Sequence, residues 1–213
     1  MRKDIEYLTE GYKKFRQKYF DGTNSIFEDL KNGQNPKILI IACSDSRVDP
    51  AIILNCKPGD LFVIRNVANL VPPYENDDSH HGTSAALEFA VCSLEVKHII
   101  IFGHSSCGGI GALVENPNKM REGNFISKWM ELASPAYEKT IKNYPNSSVQ
   151  EKVSNCARFA LINSLKNLNT FPWIKSRVET EELSLHSWYF NIETGIIEEF
   201  QPKLNSFEDL EID

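Results

Sequence analysis

The sequence lacks the features of a membrane protein or a nucleic-acid-binding protein. No run reaches the ~18 apolar residues of a transmembrane helix, and the first residues contain no apolar core of a signal peptide. The 23 basic residues are outnumbered by 29 acidic ones, and the net charge of -6 does not suit binding to a phosphate backbone. We therefore expect no membrane partner, no nucleic-acid partner and a cytoplasmic location.

Cysteine is scarce, and its five copies are odd in number and scattered along the chain. This is not the pattern of a disulfide framework, so a reducing compartment is expected. Cys56, Cys92 and Cys156 are expected to be packing residues, because a free cysteine commonly behaves as a small apolar side chain.

The composition predicts one domain with a sizeable core. The 213 residues are 41% hydrophobic and 24% charged, and the sequence contains no repeat or low-complexity tract. Within a single domain over residues 1–213 we distinguish a helical arm (1–33), an α/β core (34–115) and a region of helices and edge strands (116–213).

Short apolar runs predict the central strands. Residues 38–42 and 98–103 are nearly continuous apolar runs, as in parallel strands that are buried on both faces. A third strand is predicted over 61–64. Helices are predicted over 50–55, where Asp49 is the N-cap and Pro50 the first helical residue, and over 83–95. This βαβ alternation predicts an α/β fold with a mostly parallel central sheet flanked by helices.

The flanking segments are predicted to be mostly helical. Apolar residues recur at intervals of three and four near the amino terminus, which predicts an amphipathic helix whose stripe packs on a second subunit or on its own domain. These residues are Ile5, Leu8, Tyr12, Phe15 and Tyr19. Further helices are predicted over 125–132, 135–143 and 149–168, followed by a hairpin of strands over 183–190 and 196–200.

Candidate metal ligands follow two of the predicted strands. Cys43 follows the first strand, and His104 and Cys107 follow the strand over 98–103. Because the carboxyl ends of parallel strands meet at one edge of a sheet, these side chains should lie together. Two thiolates and an imidazole suit zinc, and three protein ligands leave one position for water or substrate, which indicates catalysis. The alternative is that both cysteines are only small buried side chains.

These motifs resemble those of the β-class carbonic anhydrases. Residues 43–47 read Cys-Ser-Asp-Ser-Arg and residues 104–109 read His-Ser-Ser-Cys-Gly-Gly. The resemblance runs over about 34–115 and includes the segments 65–69 and 82–88. It implies one zinc ion per chain, reversible hydration of carbon dioxide to bicarbonate, and a homodimer or a dimer of dimers in which the amino-terminal helix packs on a second subunit.

Asp45 and Arg47 are the candidate catalytic pair. A zinc ion acidifies bound water and so supplies hydroxide to attack carbon dioxide. An aspartate beside an arginine stays ionised, so Asp45 could accept the proton of that hydroxide and orient it. The alternative is an ion pair that only holds the loop.

The resemblance also implies substrate-binding residues. Gln34 matches a glutamine that binds substrate oxygen across the subunit interface, and Phe62 and Val67 match apolar pocket positions. Gly108 would let the amino terminus of a helix approach the metal, where N–H groups favour an anion such as bicarbonate. Phe89 is a departure, because plant-type relatives have tyrosine there and its hydroxyl is lost here. 

His80 and His81 could carry protons, although paired histidines in a polar loop are more often merely solvated.

The residues before the first motif predict an unregulated enzyme of the plant type. One bacterial branch of the family carries Trp-x-Gly at these positions and is inhibited cooperatively by bicarbonate. Here the positions hold Ile40 and Ala42. Other functions remain open, namely a zinc hydrolase of carbonyl sulfide or carbon disulfide, or a non-catalytic zinc-stabilised interaction or sensor protein.

Overall fold

The computed structural model describes residues 2–21, 25–118 and 124–212. The chain divides into two compact units, Met1–Asn35 and Pro36–Asp213. Within the described residues, no helix is both long enough and apolar enough to cross a membrane.

The first unit contains helices α1 (Arg2–Phe20) and α2 (Phe27–Leu30). The rings of Phe15, Tyr19 and Phe20 lie 5.8, 5.9 and 4.9 Å from the ring of Phe27. The carboxyl-terminal part of the predicted apolar stripe therefore packs against α2. The other residues of the stripe, Ile5, Leu8 and Tyr12, are 60%, 61% and 62% exposed.

The second unit is built on a six-stranded sheet in the order β2-β1-β3-β4-β5-β6. Its strands are β1 (Ile38–Cys43), β2 (Leu61–Asn66), β3 (His98–His104), β4 (Ser184–Phe190), β5 (Ile197–Gln201) and β6 (Ser206–Asp209). The first four are parallel, and β5 and β6 are antiparallel. This mixed sheet with flanking helices confirms the predicted α/β fold.

The described part of this unit contains seven α-helices. They are α3 (Pro50–Ile53), α4 (Gly82–Glu88), α5 (Gly108–Glu115), α6 (Phe125–Met130), α7 (Ser134–Asn143), α8 (Val149–Leu168) and α9 (Pro172–Glu179) among the residues that the structure describes. Asp49 caps α3 as predicted, since its side chain accepts hydrogen bonds from the N–H groups of Ala51 and Ile52.

The centre of the sheet is buried on both faces. Strands β1 and β3 are rich in isoleucine, whose branched Cβ favours extended backbone. Alternate residues enter two apolar clusters: Leu39, Ile41, Ile99 and Ile101 in one, and Ile40, Ala42, Ile100 and Phe102 in the other. The first cluster includes residues from α4 to α9, whereas the second packs against the end of α3. The ends of β1 and β3 are therefore held in a rigid core.

The helix predicted over 83–95 differs from a regular α-helix. After α4 it continues as a π-helical turn over Phe89–Ser93, in which the N–H of Leu94 donates to the carbonyl of Phe89. An extra residue in a turn rotates the following side chains about the helix axis. Cys92, which lies within this turn, is exposed, and its predicted role in packing was wrong. Cys156 is buried as predicted, and Cys56 is half-buried.

Candidate metal centre

The three predicted metal ligands meet at the carboxyl edge of the sheet. Cys43 ends β1 and His104 ends β3, and these two strands are neighbours. Cys107 caps the amino terminus of α5. The two sulfur atoms are 3.9 Å apart, and the three candidate ligand atoms all lie within 4.8 Å of one another. All three residues are buried, and together they could hold a metal ion.

His104 contributes a ring nitrogen that is free to bind a cation. Its Nδ1 atom lies 2.8 Å from the carbonyl oxygen of Ser105. Because a carbonyl oxygen only accepts, Nδ1 carries the proton and Nε2 keeps its lone pair. Nε2 is buried and lacks a hydrogen-bond partner in the described part of the chain. A buried acceptor without a partner is costly, and a zinc ion would satisfy it, so this donor set fits zinc.

The sulfur atoms of the two cysteines are within hydrogen-bonding distance of each other. A hydrogen bond from the Cys107 thiol lowers the pKa of Cys43 to about 4, and the same interaction raises the pKa of Cys107. The sulfur of Cys43 also accepts a hydrogen bond from the backbone N–H of Ala68, at 3.4 Å. A bound cation would favour loss of the protons from both thiols.

The backbone around the sulfurs adopts uncommon conformations. Ala68, Asn69 and Ser106 have φ angles of 62°, 47° and 55°, which lie in the left-handed region. Non-glycine residues enter this region at a cost and often do so at functional sites. At Ala68 this backbone conformation aims an N–H group at Cys43. These angles were not predictable from the sequence, since of the three residues only asparagine favours them.

Asp45 and Arg47 form the predicted ion pair beside these ligands. Arg47 donates from Nε to Oδ1 of Asp45 at 2.9 Å and from Nη2 to Oδ2 at 2.7 Å. Its backbone N–H also donates to Oδ1, at 3.0 Å. The side-chain hydrogen bonds from Arg47 hold the pKa of the Asp45 carboxyl well below its usual range. Oδ2 lies 4.0 Å from Nε2 of His104, so the carboxylate faces the ligand group.

The comparison with known proteins agrees with this geometry. A family model described as carbonic anhydrase matches residues 38–197. A carbonic anhydrase from Synechocystis is 37% identical over 203 residues, which are 95% of this chain and 73% of that protein. The structure of the β-carbonic anhydrase CcaA superposes with a TM-score of 0.91 at 36% identity, covering 99% of this chain and 93% of that one.

The chain belongs to the β-class carbonic anhydrases. This confirms the predicted resemblance and the predicted enzyme class. Another relative, the chloroplastic β carbonic anhydrase 5 of Arabidopsis thaliana, is 41% identical over 174 residues. That match covers 82% of this chain but 57% of the Arabidopsis protein, so the chain spans just over half of that relative.

The predicted pocket residues of this carbonic anhydrase fall into two groups. The rings of Phe62 and Phe89 are neighbours, with centroids 5.9 Å apart, and Phe89 is 47% exposed. Val67 packs on the first turn of α5, where a Cβ on Gly109 would lie 2.9 Å from its Cγ1 atom. Around Gly108 a Cβ would meet nothing within 4 Å. Close packing at this helix terminus therefore requires glycine at 109 and not at 108.

The remaining predicted residues lie elsewhere. Gln34 is an exposed residue of the first unit. His80 and His81 line a cavity of about 930 Å³ that also includes Val67. The Nε2 atom of His81 lies 2.8 Å from a carboxylate oxygen of Asp77, so this histidine is paired as well as partly solvated.

Two supporting residues of the carbonic anhydrase site were not predicted to have this role. Trp129 on α6 donates from Nε1 to the carbonyl oxygen of Val67, at 2.8 Å. Arg65, the first residue of the segment 65–69 that resembles the family, donates to the carbonyl oxygens of Cys43 and Asp45 at 2.9 and 2.7 Å. The sequence shows which side chains can donate hydrogen bonds, but it does not show which distant carbonyl receives each of them.

Proposed function

We propose that this carbonic anhydrase hydrates carbon dioxide reversibly to bicarbonate with one zinc ion per chain, held by Cys43, His104 and Cys107. Zinc held by these residues would lower the pKa of water toward neutrality and so would supply hydroxide for attack on carbon dioxide. The observation that carries the proposal is the fixed carboxylate of Asp45, whose Oδ2 lies 4.0 Å from the unpartnered Nε2 of His104.

Asp45 orients the nucleophile in this mechanism. Its pKa is held low by Arg47, so the carboxylate accepts hydrogen bonds and does not donate them near neutral pH. It can therefore accept the proton of the attacking hydroxyl group and leave an oxygen lone pair directed at the carbon of the substrate. Arg47 keeps the carboxylate in place, because its two side-chain hydrogen bonds to Asp45 act as a fork with fixed geometry.

Apolar and polar groups divide the task of binding substrate and product. Phe62, Val67 and Phe89 offer apolar surface suited to carbon dioxide, which has neither charge nor dipole. Gln34 of a neighbouring subunit binds a substrate oxygen, and the N–H groups at Gly108 favour the bicarbonate anion. A β-carbonic anhydrase of Coccomyxa, 26% identical with a TM-score of 0.80, has been solved in complex with acetazolamide. We expect the same inhibitor to bind here.

The active enzyme is proposed to be a homodimer or a dimer of dimers. Two carbonic anhydrases of Sordaria macrospora, represented by a structure that is 32% identical with a TM-score of 0.75, are described as tetrameric. The exposed apolar residues of α1 also support association, since such surface favours burial against a partner.

A cytoplasmic location remains part of the proposal. Its support is that none of the five cysteines forms a disulfide, as expected of a reducing compartment.

A stopped-flow assay of carbon dioxide hydration tests this function. The protein is loaded with zinc, its metal content is measured, and carbonyl sulfide serves as the comparison substrate. We expect hydration far above the uncatalysed rate, inhibition by acetazolamide, and much slower hydrolysis of carbonyl sulfide. A zinc-replete protein that prefers carbonyl sulfide, or that leaves the hydration rate of carbon dioxide unchanged, would contradict the proposal.

A further inference from the structure

Arg65 makes three hydrogen bonds to the segment that carries Cys43 and Asp45. It lies on β2, where its backbone is in register with Ala42 of β1. Its Nε atom donates to the carbonyl oxygen of Cys43 at 2.9 Å, and Nη2 donates to the carbonyl oxygen of Asp45 at 2.7 Å. Its Nη1 atom donates to Oδ2 of Asp49 at 3.1 Å. One side chain thus contacts three points along seven residues of chain, 43–49.

Asp49 joins this arginine to helix α3. Its Oδ1 atom accepts hydrogen bonds from the N–H groups of Ala51 and Ile52, at 3.0 and 3.4 Å. Its Oδ2 atom accepts from Arg65. The two oxygens of one carboxylate therefore attach the guanidinium to the first turn of this helix.

The guanidinium of Arg65 fixes the distance between the two carbonyl groups that it contacts, those of Cys43 and Asp45. It is planar, and its Nε and Nη2 donors keep a constant separation and direction. A side chain that bonds both carbonyls consequently sets the spacing between the peptide groups of Cys43 and Asp45. Beyond β1, this segment has left the regular sheet, and the N–H of Ser44 donates to the carbonyl of Asn66 at 2.9 Å.

We propose that Arg65, anchored by Asp49, is a positioning residue that sets the carboxylate of Asp45 relative to the metal ligand Cys43. The inference rests on the proposed roles of those two residues. Arg65 itself touches neither substrate nor metal in this scheme. Lysine cannot replace it fully, because an ammonium group is a point donor without a planar fork.

The test compares Arg65→Met and Arg65→Lys with the wild-type enzyme. Zinc affinity is measured by competition with a chromophoric chelator, and ligand geometry by the absorption spectrum of the cobalt-substituted protein. For Arg65→Met we expect a loss of roughly 10–100-fold in zinc affinity or in kcat, as for other residues that support metal ligands, with KM unchanged. Arg65→Lys is expected to recover part of this loss, because it can still donate to one carbonyl.

Arg177 provides a matched control. It also donates to two backbone carbonyls, those of Val91 at 2.7 Å and Val96 at 3.2 Å, just before the start of β3 and so at the opposite edge of the sheet. Arg177→Met should lower the melting temperature while zinc affinity, the cobalt spectrum and kcat stay at wild-type values below that temperature. An equal loss of zinc affinity in this variant would overturn the proposal, because it would reflect general destabilisation.

Asp49→Asn tests the contact of Asp49 with Arg65 separately from the role of Asp49 as the N-cap of α3. Asparagine keeps an oxygen for the N–H groups of Ala51 and Ile52, but its amide nitrogen cannot accept from Arg65. We expect zinc affinity and kcat to change in the same direction as for Arg65→Met, but by a smaller factor.

The result that would refute the positioning role is an Arg65→Met variant whose zinc affinity, cobalt spectrum and kcat all equal those of the wild type. Zinc affinity and the cobalt spectrum report on the site even if the wild type hydrates no carbon dioxide, so failure of the proposed function is recognised separately.

Discussion

Asp45 holds its Oδ2 atom 4.0 Å from Nε2 of His104 while Arg47 donates hydrogen bonds to both of its carboxylate oxygens. The carboxylate therefore has a fixed direction with respect to the metal ligands. The side chain of Asp45 is only 15% exposed, whereas that of Arg47 is 50% exposed, so solvent reaches the pair from the arginine side.

Replacing Asp45 by asparagine tests its role in orientation. The amide has the same shape, but its nitrogen can accept neither from Arg47 nor from the nucleophile. We expect Asp45→Asn to keep one zinc ion per chain and to lose about 10²-fold in kcat, the size of effect that misorientation produces. Metal analysis and stopped-flow kinetics check both parts. An unchanged kcat would mean that the Asp45–Arg47 ion pair only holds its loop in place.

Loss of any single ligand should remove the metal. Cys43→Ser or His104→Ala leaves two protein ligands, too few for a stable zinc site, so zinc content and hydration should disappear together. Cys92→Ser is the control, because Cys92 is exposed and outside the ligand group, and this variant should keep both. A Cys43→Ser enzyme with one zinc per chain and normal turnover would disprove the ligand assignment.

Trp129→Phe removes one hydrogen bond and keeps an aromatic ring. The indole of Trp129 donates to the carbonyl of Val67, a residue of the proposed substrate pocket. We expect a loss of about 1 kcal/mol in the free energy of unfolding, the usual size for one hydrogen bond, together with a lower kcat/KM. Trp173→Phe is the control, because it makes the same substitution on α9. We expect this variant to lose free energy of unfolding while its kcat/KM stays at the wild-type value. Equal kinetic losses in both variants would count against a specific role for Trp129.

Bicarbonate inhibition should be non-cooperative. Ile40 and Ala42 are both fully buried, and a second anion in their neighbourhood would have to be desolvated against apolar side chains, at a cost of several kcal/mol. Arg65 directs donors from all three of its nitrogens at residues 43–49. We expect a Hill coefficient near one for bicarbonate inhibition at neutral pH. A Hill coefficient well above one would show that the residues at positions 40 and 42 do not distinguish cooperatively inhibited carbonic anhydrases from the others.

Self-association should require the exposed part of α1. Ile5, Leu8 and Tyr12 present apolar surface, and Leu8→Asp would place a charge in any interface formed there. Sedimentation velocity at micromolar concentration is expected to show at least a dimer for the wild type and a shift toward monomer for Leu8→Asp. An active wild-type monomer would also remove the expected role of Gln34 at a neighbour's site.

The central strands and the three ligands could be predicted because each is encoded over a few consecutive residues. An isoleucine-rich run that ends in a cysteine or a histidine indicates a buried strand with polar chemistry at its end, and β1 and β3 follow that pattern. Helix α9 and strand β6 were not predicted. Strand β6 is a short edge strand with the mostly polar sequence Ser-Phe-Glu-Asp, and it is recognisable only once β5 is there to pair with it.

The conformations and contacts around the ligands were harder to predict. The left-handed backbone at Ala68 is imposed by its surroundings, because alanine has no preference for it. The hydrogen bonds of Arg65 and Trp129 join residues that are distant in sequence, and nothing local marks their acceptors. The sequence therefore predicted the ligands themselves better than it predicted the groups that hold them in position.

A single nitrogen atom connects the two loops that carry the ligands. Nη2 of Arg47 donates to Oδ2 of Asp45, after β1, and also to the carbonyl oxygen of Ser106, after β3. If the loops separate, this atom must release either the carboxylate or the peptide beside Cys107. The carboxylate keeps its hydrogen bonds from Nε and the backbone N–H of Arg47 in either case. Opening of the metal site therefore removes one restraint on the Asp45–Arg47 pair, and the carboxylate is expected to be held most rigidly while the two loops are closed on each other.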